Sequence, residues 1–219
     1  IRSFIAREIK ASDTDAKLGW LLVVSTIPAG IIGLLLKDQI TGSFLSPQSA
    51  AIFLALNGLL LLLAERLRKR AKTSAAAANT QTPLESVENN DTRIAKQLSF
   101  WQSFKVGILQ VLALIPGFSR TGSTLAGGLM VGLSHEDSLR YSFLLATPII
   151  GAAALLELPP LLTSGNSALI TVSVAGAAAA AIAAWCSVKF LTRYFKTNNL
   201  TPFAIYCLAV GIVSLIILR

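Results

Sequence analysis

The sequence predicts an all-α polytopic membrane protein with five transmembrane helices plus one re-entrant helical hairpin. Three observations lead there. Hydrophobic residues make up 53% of the 219 residues and charged ones only 14%, against about 25% charged in a soluble domain, and the mean hydropathy is +0.66. The apolar residues gather into long charge-free stretches, as a hydrocarbon core demands. The basic residues fall in blocks between those stretches, the pattern that sets membrane topology. A disordered chain, which needs low hydrophobicity and high charge, is excluded. The formal charge of +8 is accordingly read as topology and not as a nucleic-acid surface. A single membrane domain over 1–219 is expected, and the lipid bilayer is its first partner.

The crossings follow from the charge-free stretches. Leu18–Leu36 is the first, punctuated by Pro28, Gly30 and Gly33. Ser49–Ala64 is the second, closed by Glu65 and Arg66, with Phe44 and Leu45 able to extend it. Tyr141–Leu156 is the third. Pro159 and Pro160 then predict a turn, followed by a fourth helix over about Leu169–Ser187. Thr197–Leu218 is the fifth, with Pro202 placed for a first helical turn. The runs Gly176–Ala181 and Gly151–Ala154 are small-residue faces suited to close helix packing. Residues 65–105 are expected to form a cytoplasmic loop, and the opening segment before Leu18 an interfacial helix or the end of a preceding crossing. Cys186 and Cys207 lie in or beside apolar stretches and read as small core residues.

Charge orients the bundle. Arg2, Arg7, Lys10 and Lys17 precede the first crossing. Arg66, Arg68, Lys69, Arg70, Lys72, Arg93, Lys96 and Lys105 follow the second, and Lys189, Arg193 and Lys196 precede the last. These segments belong in the cytoplasm; residues 37–48, with one Lys, and 157–168, with none, belong outside. The loop ending at Lys105 and the connection at Leu139–Arg140 are then both inside. Residues 106–134 must therefore enter and leave by one face, as a re-entrant hairpin. Arg120 stands at its centre, with about 14 uncharged residues on each side, an arm of ~21 Å against a core of ~30 Å.

The tip, Ile115 to Thr124, reads IPGFSRTGST. Pro116 and Gly117 break the first arm, and Gly122 lets the second begin at close quarters. Ser119, Arg120, Thr121, Ser123 and Thr124 place one guanidinium among four hydroxyls. Arginine cannot shed its charge, and its planar fork suits bidentate recognition of phosphate. The start of the second arm adds backbone N–H donors and a favourable helix dipole. No carboxylate lies between Lys105 and Glu136, so a bound phosphate would partner Arg120; the competing reading has Arg120 snorkel or pair with an acid on another helix, and the hydroxyls act as caps. Gln110 either faces the same cavity or makes an interhelical hydrogen bond. His135, beside Glu136 and Asp137, reads as an interfacial helix start. Asn57 reads as an interhelical bond and Trp185 as an interface anchor.

The segment GILQVLALIPGFSRTGSTLAGGLMVGLS, then RYSFLLATPIIGAAAL and PFAIY, resembles the undecaprenyl-diphosphate phosphatase family of bacteria, also called the bacitracin-resistance family, along the whole chain. The resemblance implies an inverted-repeat fold in the bacterial inner (plasma) membrane. It implies hydrolysis of the C55 isoprenyl diphosphate, with release of phosphate, to the monophosphate carrier that cell-wall synthesis reuses. It casts Ser119, Arg120 and Thr124 as catalytic, while the reading of the tip itself puts Gly117, Thr121, Gly122, Ser123 and Gln110 at the substrate site. It also implies a divalent cation, Mg²⁺ or Ca²⁺, held by a glutamate-rich first motif that precedes an S-S-T-G-H run carrying the nucleophile or base. Neither block occurs in this chain, and Cys207 follows PFAIY where the family often has Arg. Residue 1 is Ile, so a missing N-terminal portion holding the metal ligands is expected, along with inactivity of the 219-residue chain alone. A homodimer is a further expected partner. The alternative reading is a transporter or flippase for a prenyl phosphate lipid, separable by phosphate release versus lipid movement across liposomes.

Overall fold

The computed structural model describes residues 13–36, 46–77, 89–163 and 167–218. Among them every regular element is helical: α1 Thr14–Leu35, α2 Pro47–Ala77, α3 Asn90–Gln97, α4 Phe100–Val111, α5 Arg120–Met130, α6 His135–Thr163, α7 Ser167–Tyr194 and α8 Thr201–Ile217, with one 3₁₀ turn at Leu112–Leu114. Four stretches are long and apolar enough to cross a membrane: Thr14–Leu35, Pro47–Ala71, His135–Leu155 and Ala168–Tyr194. At 17 residues α8 is shorter. The interfacial helix expected over the opening residues lies outside the described residues.

The helix ends carry the chemistry that exposed N–H groups require. Asp13 accepts from the Ala16 N–H at 2.9 Å to start α1. Ser99 and Gln102 form a reciprocal capping box at the start of α4. Ser134 accepts from the Asp137 N–H at 3.0 Å, so α6 begins at His135, where a helix start was expected.

Two features differ from the sequence reading. The polar stretch after Glu65 is helical at both described ends, as α2 runs on to Ala77 and α3 begins at Asn90. The Ala-, Arg- and Lys-rich sequence there consists of strong helix formers. The Pro159–Pro160 pair makes no turn; α6 continues through it to Thr163. Proline fixes φ at a helical value and removes only its own N–H, and the Thr163 hydroxyl bonds the Pro159 carbonyl at 2.9 Å.

The centre of the molecule is the α4–α5 hairpin. Gln102 donates to the Val131 carbonyl at 3.3 Å, closing its open end. On one side α4 lies against α1, with Leu18, Leu21, Ile94, Val106, Leu133 and Tyr141 in a shared apolar cluster. On the other, α5 packs against α2 and α6, and Leu125 and Leu129 share an apolar cluster with Leu61, Leu139, Leu200 and Ala204. Every residue from Ser123 to Leu129 is buried, which a helix shows only when wrapped on all sides. α2 and α8 run antiparallel: Gln48 donates to the Leu218 carbonyl at 3.3 Å at one end, and the Leu200 N–H meets Glu65 Oε2 at 3.4 Å at the other. α7 stands apart, with none of its span buried.

Polar bonds lock α3, α4 and α6 together. Ser25 Oγ lies 2.7 Å from Ser103 Oγ and 2.6 Å from the Tyr141 hydroxyl, and Ser103 donates to the Leu21 carbonyl at 2.6 Å. Arg93 grips Asp137 through two bonds of 2.9 and 2.7 Å, and Arg140 grips Asp91 at 2.9 and 2.8 Å. Glu65, buried on α2, accepts from His135 Nε2 at 2.7 Å, while Arg68 donates to His135 Nδ1.

Contact between α1 and α4 is close enough to test. A Cβ at Gly107 would lie 2.3 Å from the Ser25 carbonyl oxygen, whereas one at Gly30 meets nothing within 4 Å. Gly30→Ala should stabilise by about 0.5–1 kcal/mol, the helical preference of Ala over Gly. Gly107→Ala should destabilise by about 1–3 kcal/mol, because the helices must separate. Thermal unfolding in detergent reads both, and shifts of the same sign would contradict this packing.

Candidate functional site

The tip of the hairpin is built by residues that end one helix and begin another. After Val111 the chain tightens into the 3₁₀ turn, and the Ile115 and Phe118 N–H groups bond the Leu112 and Ile115 carbonyls, each at 3.1 Å. Gly117 adopts φ +100°, and a Cβ there would lie 2.2 Å from the Ala50 carbonyl oxygen. Only glycine suits both the dihedral and the space. Phe118 then packs on Phe53, ring centroids 5.8 Å apart. Ser119 caps α5, its hydroxyl accepting from the Gly122 N–H at 3.1 Å. Arg120 is the first residue of α5.

Arg120 opens onto a cavity of about 890 Å³ between α2, α5, α6, α7 and α8. One end is polar: Ser119, Arg120, Thr121 and Gly122 from the start of α5, and Asn57 from α2. The remaining wall is mainly apolar, with Phe143, Ile150, Val188, Leu191 and Phe203 among its side chains, and Thr147, Ser187 and Tyr206 add hydroxyls to it. The guanidinium is half-buried and makes no ion pair or hydrogen bond with any described residue. A level is fixed by Asn57, whose Oδ1 would stand 3.1 Å from a Cβ at Gly122; Asn57 lies near the middle of the apolar stretch Pro47–Ala71. The arrangement is a cation with N–H and hydroxyl donors at the closed end of an apolar chamber, suited to an anionic head on an apolar body.

The residues singled out in the sequence divide into two sets. Ser119, Arg120, Thr121 and Gly122 share the cavity. Ser123, Thr124, Gly117 and Gln110 lie behind it. Ser123 donates to the Ser119 carbonyl at 3.0 Å, and Thr124 donates to the Arg120 carbonyl at 2.9 Å while touching the Ser142 hydroxyl from α6. These two hydroxyls brace the first turn of α5. Gln110 is 2% exposed, and neither polar atom of its amide finds a partner among the described residues.

Several site residues escape a reading of the sequence. Ser142 lies within the RYSFLLATPIIGAAAL segment but is not singled out there, and its approach to Thr124 on α5 reveals it. Asn57 reads as an interhelical bond, and its Nδ2 does reach Cys207 Sγ at 3.5 Å, yet it also lines the cavity. Cys207 is half-buried in the same wall, whereas Cys186 is exposed on α7 and is no core residue. Among the described residues no group of three or more His, Cys, Asp or Glu side chains could hold a metal, and no carboxylate lines the cavity. The donors described here do not fit the divalent cation that the resemblance implies.

Comparison with known proteins accords with this geometry. Residues 1–213 match the family model described as bacitracin resistance protein BacA. Undecaprenyl-diphosphatase 2 of Frankia alni is 37% identical over 249 residues, covering 96% of this chain and 73% of the relative. Undecaprenyl-diphosphatase 2 of Chromobacterium violaceum is 44% identical over 211 residues, 94% of this chain and 70% of the relative. Undecaprenyl-diphosphatase of Mycolicibacterium paratuberculosis is 44% identical over 204 residues, 92% and 67% respectively.

The cap at Ser119 gives a direct check on the tip. Ser119→Ala should lower stability by about 1 kcal/mol and Ser119→Gly by only a few tenths, as at helix N-caps generally. Equal losses in thermal unfolding would mean that the hydroxyl does not hold the start of α5.

Proposed function

Since the chain belongs to the BacA bacitracin-resistance family, we propose that it serves the hydrolysis of undecaprenyl diphosphate to undecaprenyl phosphate and phosphate, recycling the lipid carrier in the bacterial inner membrane. The observation that carries this reading is Arg120: a permanent cation, unpartnered among the described residues, on a cavity whose lining is mainly apolar. The diphosphate head would sit against the guanidinium and the first N–H groups of α5, and the prenyl tail along the apolar wall. Hydrolysis breaks the bond between the terminal phosphorus and the bridging oxygen, and water supplies the new P–O bond. The bridging oxygen leaves on the lipid monophosphate. Negative charge gathers on the oxygens around the transferred phosphorus. A fixed guanidinium and the end of a helix stabilise it at that point. Ser119 adds a hydroxyl, and Thr124 holds the backbone that aims Arg120.

Membrane placement belongs to the same proposal. α8 accompanies α2 from Gln48 to Glu65 and would make a fifth crossing beside it. The α4–α5 hairpin would enter from the cytoplasmic face and turn back within the membrane, with residues 65–105 cytoplasmic. Trp101 with Lys105, at 5.7 Å, and Trp185 with Lys189, at 5.0 Å, suit the cytoplasmic interface.

Two measurements test this. Arg120→Lys keeps the charge and loses the planar fork. It should weaken equilibrium binding of undecaprenyl diphosphate in detergent about tenfold, ~1.4 kcal/mol, with helicity unchanged. Binding equal to that of the unmodified chain would sink the assignment. For topology, cysteines introduced singly at Ser46, Gln97 and Met130, in a chain without Cys186 and Cys207, should differ toward an impermeant maleimide. Intact cells should label position 46 alone; labelling of 97 and 130 from opposite faces would make the hairpin a straight crossing.

A further inference from the structure

Asn57 is fully buried, yet its amide is only half used. Nδ2 has a single weak acceptor, Cys207 Sγ at 3.5 Å, and Oδ1 has no partner among the described residues. A leucine of similar size would fill the place without an unmet polar atom, so the amide is costly unless something else bonds it. The backbone cannot draw it away. The next residue, Gly58, lets α8 approach so closely that a Cβ there would stand 2.8 Å from the Ala204 carbonyl oxygen. The side chain therefore stays where it lines the cavity, beside Gly122 and Arg120.

We propose that Asn57 is a head-group binding residue, donating an amide N–H to a phosphate oxygen of a diphosphate held by Arg120 and the first turn of α5. The inference rests on the reading of the cavity given under Proposed function. A half-turn of the amide exchanges its two polar atoms within nearly the same volume. Nδ2 then faces the cavity, and Oδ1 accepts from the Cys207 S–H, so both ends of the group are used. A charged acceptor makes the stronger kind of hydrogen bond and selects that orientation. Asn57 approaches from α2 while Arg120 approaches from α5, so the two donors reach the anion from different helices. This would favour a head with several oxygens over a single hydroxyl.

The test is equilibrium binding of undecaprenyl diphosphate and of undecaprenol to the purified chain in detergent, with thermal unfolding of each variant. Asn57→Leu and the smaller Asn57→Ala should each weaken diphosphate binding about tenfold and leave undecaprenol binding unchanged. The unfolding temperature of the Leu variant should equal or exceed that of the unmodified chain. Arg120→Ala serves as the reference for the site. If Arg120→Ala loses the diphosphate while both Asn57 variants bind it normally, the role of Asn57 is overturned and the site stands. If Arg120→Ala itself binds normally, the cavity reading fails and the inference with it. Equal weakening for diphosphate and alcohol would also overturn it, because that would place Asn57 against the tail.

Discussion

A chain that turns back among apolar helices must satisfy its backbone polar groups within the protein, since no water is there to do so. The tip of the α4–α5 hairpin meets that constraint with very few residues. Two turn bonds use the Ile115 and Phe118 N–H groups, and Pro116 has none to satisfy. Ser119 takes the Gly122 N–H, and Ser123 and Thr124 return their hydroxyls to the Ser119 and Arg120 carbonyls. Gly117 presses the bend against α2 at Ala50. With the bend sealed, the remaining N–H groups of the first turn of α5 stay available at the cavity, and Arg120 is carried there with them. The hairpin and the donors at the cavity thus have one physical origin.

The rest of the bundle can be understood as support for that bend. α4 is held to α1 and α6 by the buried hydroxyls of Ser25, Ser103 and Tyr141, three neutral groups whose bonds avoid burying charge. α5 lies against α2 and α6 through apolar packing alone over most of its length. Charged contacts occur at the other end of the hairpin, where Arg93 and Arg140 grip acids across α3 and α6, and Glu65 meets His135. Each carboxylate there has an opposite charge or several donors, which offsets the desolvation that buried acids incur. Ion pairs at the hairpin's open end and neutral packing around its tip leave Arg120 as the one cation facing the cavity among the described residues.

How much of this could be read in advance depends on the range of the signal. Helix positions follow from local hydrophobicity, and each charge-free stretch named in the sequence falls within or along a helix. The reversal near Arg120 follows from the distribution of charge along the chain, and Pro116 and Gly117 mark where it occurs. Arg120 itself is conspicuous because a guanidinium in apolar sequence is costly to bury, and the hydroxyls around it are neutral groups that cannot balance its charge. What sequence could not supply was pairing across distance. Ser142 beside Thr124, Tyr141 beside Ser25, and Asp137 beside Arg93 are ordinary residues until separate helices meet. Asn57 was visible, but nothing local could say that its amide faces a cavity. Pro159 and Pro160 misled for a different reason: the φ that proline fixes is a helical one, so the pair can stay within a helix at the cost of two i→i−4 bonds.

The cavity joins two parts of unequal rigidity. Its closed end and one flank belong to α2, α5, α6 and α8, whose side chains share a buried cluster. Its other flank belongs to α7, which lines it with Ala184, Val188 and Leu191 yet has no part of its apolar span buried. Displacing α2 or α8 would uncover core and break the close contact at Gly58. Displacing α7 would disturb chiefly its C-terminal end, where Leu191 and Tyr194 pack against the buried cluster. Arg120 and the start of α5 therefore sit on the more enclosed side, where a guanidinium and a helix terminus can be held in fixed geometry. The movable wall lies against the apolar half of the chamber. For a ligand with one charged end and a long hydrocarbon end this division is the useful one: the head demands fixed donors, while the tail makes contacts that tolerate a wall of variable position.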